Sequence, residues 1–365
     1  MLLLTLFTAL SISSPADSVP KAFSLLPLPL IYYTPETRFA YGVAPTFTFR
    51  FKRDMTALRA DSAATVRPSQ VTLGAAYTQN KQLLFYIPFQ LFYNRDKYYI
   101  NGEAGYYKYS YFFFGVGQRE VPRELYAVNF PRIRVNAFRQ IAASAISVGK
   151  LYAGVRYQYE DYQVTSVEPD GLLATGTVPG GLGSKLAGAG LGLFYDSRNQ
   201  IFFPTSGMVA DVAFLNQSRV WGSNVRFDRY SADVSSYHAL SRHAILALNY
   251  FVSFTTGVAP FNAMSLLGGT KRMRGYYEGR FRDQNAALIQ SEVRFDIYKR
   301  LGGVVFGGVG ILGDDTSLLR PADPKAAYGA GLRFTINRRD HLNIRVDYGF
   351  GQQSSGFYLT IGEAF

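Results

Sequence analysis

The stretch Ser265-Leu-Leu-Gly-Gly-Thr-Lys-Arg-Met-Arg-Gly-Tyr-Tyr-Glu-Gly-Arg-Phe-Arg-Asp283 decides the reading of this 365-residue chain. Gly268, Gly269, Gly275 and Gly279 disfavour a helix and open backbone shapes closed to other residues. Four arginines and a lysine alternate with Tyr276, Tyr277 and Phe281, too much charge for a strand that faces lipid. Amphipathic strands flank the stretch on both sides. It therefore reads as a long inter-strand loop folded back onto something charged, because guanidinium groups seek carboxylates and carbonyls. The next strand offers a partner. Along 285–297, Glu292, Arg294 and Asp296 share one face, and Ile289, Val293, Phe295 and Ile297 the other. Apolar outside and charged inside is the pattern of a barrel wall around a polar lumen.

The rest of the chain repeats that pattern. Sixteen per cent of residues are aromatic, 18% are charged, and 35 are glycine. No internal segment approaches the roughly 20 apolar residues of a membrane helix, whereas strands of about ten alternating residues rich in Tyr and Phe suit a transmembrane barrel. Along 342–350, Leu342, Ile344, Val346, Tyr348 and Phe350 oppose Asn343, Arg345, Asp347 and Gly349. By the same parity Arg50, Arg134, Arg156, Arg294, Arg333 and Arg345 point inward. The fold class is all-β: an antiparallel transmembrane barrel of about sixteen strands, five of them after the organising loop. The count places separate strands at 98–109 and 111–117, a polar turn around 59–65 and a long loop over 161–184. A soluble β-sandwich would alternate too, but aromatic strand ends and a terminal Phe365 favour the barrel.

The start, Met1 to Ala16, carries the apolar core of a signal peptide without its usual basic residue. The expected division is a signal peptide at 1–16, a short periplasmic lead at 17–37 and the barrel at 38–365. Pro27 and Pro29 support extended chain in the lead. The net charge of +12, with 38 basic against 26 acidic residues, is scattered rather than clustered. Lumen arginines or anionic lipid headgroups explain it better than nucleic acid, which is not expected as a partner. No cysteine is present, and His238, His243 and His341 lack metal spacing. Gly-x-Ser-x-Gly is absent, and the glycines at 180–183 and 188–192 do not join a strand to a helix. No catalytic residue, metal, cofactor or enzymatic activity is expected.

Three segments together resemble the barrel of the Omp85 superfamily, the bacterial surface antigen D15 group with BamA-like and TamA-like members. Met273-Arg274-Gly275-Tyr276 looks like its sixth-loop motif and lies five strands from the end. Asp196-Ser-Arg198, leading through Pro204 to Gly207, looks like its Asp-x-Arg segment. The last strand, 356–365, with Gly356, Gly362 and Phe365, is similar to its aromatic-ended C-terminal strand. The resemblance implies that Arg274 reaches into the lumen and pairs with acids on the following strands, Glu292 being the first. The usual second acid is missing where 306–310 reads Phe-Gly-Gly-Val-Gly, so anchoring is expected to rest on Glu292 with Asp296. The resemblance also implies a Gram-negative outer-membrane protein, here a short form without POTRA domains.

Its leading functional expectation is insertion, assembly or translocation of proteins at the outer membrane. A weak seam between strands near 38–51 and 355–365 would do the work. Partners would be outer-membrane lipids, a periplasmic delivery protein and unfolded barrel clients. A gated channel for anionic solutes and a structural or adhesion barrel stand as alternatives.

Overall fold

The computed structural model describes residues 22–27, 29–60, 66–117, 121–143, 149–314, 316–337 and 342–365. The signal-peptide segment 1–16 lies outside them, as do the start of the lead, part of the polar segment near 118–123, and His341. Sixteen antiparallel strands, each hydrogen-bonded to the next in sequence, close into one barrel. The first three are interrupted: β1 runs Phe23–Leu26 and Pro29–Thr34, β2 Arg38–Val43 and Thr46–Phe49, and β3 Ser69–Thr72 and Gly74–Thr78. The breaks in β2 and β3 lie side by side, and the Leu73 amide donates across them to Pro45 O at 3.0 Å. Next come β4 (Leu83–Tyr93), β5 (Tyr98–Phe113), β6 (Glu124–Ala143), β7 (Lys150–Ser166), β8 (Gly183–Asp196), β9 (Gly207–Gln217) and β10 (Phe227–Ser241). The wall ends with β11 (Ala244–Gly257), β12 (Asn285–Tyr298), β13 (Leu301–Gly313), β14 (Lys325–Asn337), β15 (Leu342–Gly351) and β16 (Ser354–Ile361).

Strand parity sets the two faces. Val155, Leu191, Tyr250, Ile289, Val305 and Leu332 are exposed on the outer wall, while the residues between them turn inward. Four assignments from sequence need correction. The loop expected over 161–184 is shorter, because β7 runs on to Ser166 and Asp161↔Lys185, Tyr162↔Ser184 and Gln163↔Gly183 are registered across β7 and β8. The expected lead is wall: β1 pairs with β2 from Phe23↔Phe49 to Thr34↔Arg38, so the barrel begins at about Phe23 and not at Arg38. Pro27 and Pro29 hid this strand, since proline is tolerated at edges and breaks. The 98–109 and 111–117 segments are one strand, β5, so the count of sixteen survives through two compensating errors. The expected polar turn near 59–65 begins as a helix, α1 (Lys52–Ala60). Asp54 in its first turn accepts the amides of Asn94 at 3.1 Å and Arg95 at 2.7 Å, which fastens α1 to the β4–β5 turn.

The lumen is not uniformly polar. Inward residues of β1–β7 form an aromatic core around Tyr86, Tyr107, Tyr126, Phe130 and Tyr162, capped by Phe261 of the loop after β11. Charge sits on both walls: β5–β7 hold Arg132 and Arg134 against Glu103 and Glu160, and β10–β16 carry the larger network.

Candidate functional site: the lumen loop and the seam

The connection from β11 to β12, residues 258–284, folds into the barrel. A short two-stranded ribbon, Ser265–Leu267 against Phe281–Asp283, narrows its base. Its tip lies flat on β15. Gly275 has φ +117°, a conformation reserved in practice for glycine, and the wall opposite is glycine too. A Cβ at Gly349 would stand 2.5 Å from Arg274 O, and one at Gly351 would stand 2.3 Å from the Tyr276 ring. The Tyr358 hydroxyl accepts the Gly275 amide at 3.0 Å and donates to Tyr276 O at 3.2 Å. The Tyr276 hydroxyl donates to Ala326 O at 2.7 Å and accepts the Gln352 amide at 2.7 Å. Gly351→Val is expected to push Tyr276 off the wall at about 1–3 kcal/mol, the usual cost of overpacking. Limited proteolysis should then cut within 270–283 although no charge has been touched.

Arg274 is the centre of a buried ion network. Its two terminal nitrogens reach separate acids, Glu292 on β12 and Asp347 on β15, and its guanidinium lies 3.7 Å over the Phe306 ring. All three charged groups are at most 2% exposed. Arg294 donates to Glu292 at 2.8 Å and to Phe365 O at 2.8 Å. Arg333 bridges Asp347 at 2.5 Å and Glu363 at 2.7 Å. Arg345 donates to Thr360 at 2.7 Å and to Thr270 O of the loop at 3.4 Å. Such planar multi-donor contacts are available to arginine and not to lysine. The network thus ties the loop to β12, β14, β15 and the residues after β16 at once.

Further contacts hold the loop, among them the Met273 amide donating to Gln290 at 3.2 Å and Asn262 donating to Glu160 at 3.3 Å. Lys271 and Arg272 both donate to Asp233 on β10 at 3.0 Å, and Arg272 stacks over Phe251. At the loop end of the barrel, the Glu278 amide donates to Glu36 at 2.6 Å. Glu36 sits in the turn joining β1 to β2, so this bond links the loop to the first hairpin. Burial pushes the Glu36 carboxyl up to about 7, the nearby Glu278 carboxylate adds to the rise, and the donated amides oppose it. The sign follows from linkage. An acid raised from 4.5 to about 7 is paid for by the docked state when it ionises. Docking is therefore firmest below about pH 4.5, weakens as pH rises to about 7, and is level above. The full shift is worth about 3 kcal/mol. Proteolysis within 270–283 should rise between pH 5 and pH 8 in the wild type. Glu36→Gln should flatten that rise.

The Asp-x-Arg segment lies at the barrel end that holds both Phe23 and Phe365. Asp196 binds Arg198 at 3.0 and 3.1 Å, and also receives Arg67 from the base of β3 at 3.4 Å. Arg67 further contacts Asp96, which pairs with Lys150 at 2.9 Å. These bonds cross the base from β3 to β8, above a stack of Phe92, Tyr99, Phe138 and Tyr152. Pro204 is buried, and Gly207 starts β9 at φ +94°, where a Cβ would meet Ser197 O at 2.2 Å.

The seam is short. β1 and β16 share one registered pair, Tyr33↔Leu359, against eight between β15 and β16. Extending that antiparallel register explains why. Ser354–Phe357 of β16 rise beyond Thr34, and Phe23–Leu26, Pro29 and Leu30 of β1 hang below Ile361, so each strand leaves an edge. Tyr33 covers the join with its ring, 5.4 Å from Phe357 and 5.1 Å from Phe39. Gly356 is in β16 opposite Gly349, and Gly362 follows β16 at φ +84°.

Sequence reasoning therefore placed Met273, Arg274, Gly275, Tyr276 and Glu292 together, and the structure brings them to one place. Asp296 is a correction. It is 69% exposed beyond the lumen and pairs with His243 across the β10–β11 turn, because the strand has left the lumen by that point. The second acid is Asp347. Its signal was in view, on the inward face beside Arg345, but it lies three strands after Glu292 rather than one. Asp314 serves its own turn, accepting Thr316 and Ser317 and pairing with Arg320. Glu363, Tyr358 and Glu36 carried no distinguishing spacing. The seam's first partner is β1, not the strand near 38–51.

A closed antiparallel barrel with an apolar outer wall and a loop locked in its lumen defines a membrane-spanning β-barrel. A model of the Omp85 superfamily domain matches residues 32–365, and the chain belongs to that superfamily; it is an outer-membrane barrel. Similar solved structures include CdiB from Acinetobacter baumannii, at 14% identity and TM-score 0.62, covering 94% of this chain and 60% of that one. BamA from Haemophilus ducreyi lacking POTRA domains 1–3 is similar at 11% identity and TM-score 0.58, covering 94% and 70%. CdiB from Escherichia coli stands at 10% identity and TM-score 0.60, covering 91% and 62%. The chain thus spans 60 to 70% of these proteins, and at such identity they share its fold. No curated protein matches it by sequence.

Proposed function

We propose that this barrel inserts, assembles or passes protein chains at the outer membrane, working through its seam and without bond chemistry. The single-pair join between β1 and β16 carries the reading. A short join leaves strand edges, and an exposed edge can template an incoming strand by β-augmentation. Opening such a join breaks few backbone bonds, while every other wall contact stays intact. The lumen loop supports this role by binding β12, β14, β15 and the first hairpin, which keeps the frame rigid beside a weak edge. A client reaches the edge from a periplasmic delivery protein. The channel reading draws less support, since the loop and the aromatic core occupy the lumen.

The test is client assembly in liposomes. A urea-unfolded outer-membrane barrel should acquire its heat-modifiable folded form several-fold faster in vesicles containing this protein than in empty ones. Equal rates, with stable conductance in planar bilayers that grows when 265–283 is deleted, would favour the channel.

A further inference from the structure

We propose that the rim at the end holding Phe23 and Phe365 is a binding surface for anionic lipid headgroups. Exposed cations surround that rim: Arg53 on α1, Lys97 in the β4–β5 turn, Arg139 near the end of β6, Arg242 in the β10–β11 turn, and Lys299 with Arg300 between β12 and β13. Among the described residues the exposed acid of this rim is Asp296, already paired with His243. Other acids at this end, Asp54, Asp96 and Asp196, are buried and committed to structure.

The distribution selects the partner. An acidic protein needs a patch on one side, whereas these cations lie at five separate places around the circumference, four connections and the end of β6. A lipid annulus meets all five. Height agrees, because apolar side chains on the outer wall stand next to them: Ile141 beside Arg139, Leu240 beside Arg242, and Ile297 and Tyr298 beside Lys299. Lys299 Nζ lies 4.9 Å over the Tyr298 ring, and Arg139 is registered opposite Tyr98. Cations just beyond an apolar belt, with tyrosines at the boundary, occupy the headgroup layer. Long basic side chains place their stems against acyl chains and their charges among phosphates.

The probe is the full-length protein in nanodiscs of phosphatidylcholine with one-fifth phosphatidylglycerol. Lipids that remain bound after mild detergent extraction are counted by mass spectrometry. The wild type should retain phosphatidylglycerol well above its share in the disc, and 0.5 M salt should erode the excess. Changing Arg53, Lys97, Lys299 and Arg300 to glutamine should lower the excess roughly ten-fold or more. Neutralising four loop-end cations, Lys81, Lys108, Arg123 and Arg219, should leave it intact. If the four-site rim protein fails to show heat-modifiable folding, the hairpin pair Lys299→Gln with Arg300→Gln replaces it, with a several-fold loss expected. No phosphatidylglycerol excess in the wild type would overturn the proposal. So would unchanged retention by the rim variants, equal loss in the loop-end control, or full displacement by 20 mM inorganic phosphate.

Discussion

Arg274→Ala is expected to free the lumen loop while leaving a heat-modifiable barrel. The arginine contributes the loop's ion contacts to Glu292 and Asp347 and covers Phe306. Breaking a buried pair of this kind costs about 3–5 kcal/mol, whereas an exposed pair is worth roughly 0–1. The docking equilibrium constant should fall by roughly two to four powers of ten, and protease should cut within 270–283. The wall survives because both acids keep other partners: Glu292 retains Arg294 at 2.7 Å, and Asp347 retains Arg333 at 2.5 Å. Removing an acid is different. The network holds Arg274, Arg294, Arg333 and Arg345 against Glu292, Asp347 and Glu363, four cations to three anions. Glu292→Gln makes that four to two and leaves buried guanidinium groups facing one another. It should therefore release the loop and also lower the temperature at which the barrel loses its folded mobility, which Arg274→Ala should barely change. Arg274→Lys should recover part of the protection, since one ammonium cannot serve both acids with planar geometry. Equal protection of wild type and Arg274→Ala would mean that this arginine does not hold the loop.

What the sequence made legible follows from period and chemistry. Alternation along 342–350 and 285–297 gave the wall and its inward face, because a strand repeats every two residues. The charge and glycine of 265–283 gave a loop with buried donors. Glu292 was legible as the nearest inward acid. Asp347 was not, since periodicity reports which face a residue takes but not which strands meet across a lumen. β1 was missed because its prolines break the pattern at an edge that tolerates them. The aromatic core at β1–β7 escaped for a related reason. Tyr and Phe serve equally on lipid-facing and lumen-facing positions, so composition alone did not separate them. Asp296 shows the limit of parity, which names a strand's face but not whether that face still borders the lumen at the end of the barrel.

Locking the seam should have the largest functional effect. Tyr33 and Leu359 are directly opposed, and both side chains lie on the outer face. Opposed residues of antiparallel strands stand about 4.5–5.5 Å apart at Cα, within disulfide range. The chain has no cysteine of its own, so a Tyr33→Cys, Leu359→Cys protein offers a single pair of thiols. Oxidation should be efficient, because the pair is the one registered contact at the join. The bond replaces a contact that thermal motion can open by one that it cannot, and an edge that never opens cannot accept a strand. Folding of the barrel itself should be unharmed or slightly stabilised.

The decisive measurement is the rate at which an unfolded barrel client folds in liposomes carrying this double-cysteine protein, before and after reduction. The oxidised protein should be no better than empty vesicles, and reduction should restore the wild-type rate. Undiminished client folding with the disulfide fully formed would contradict the account, because the seam would then play no part in the work.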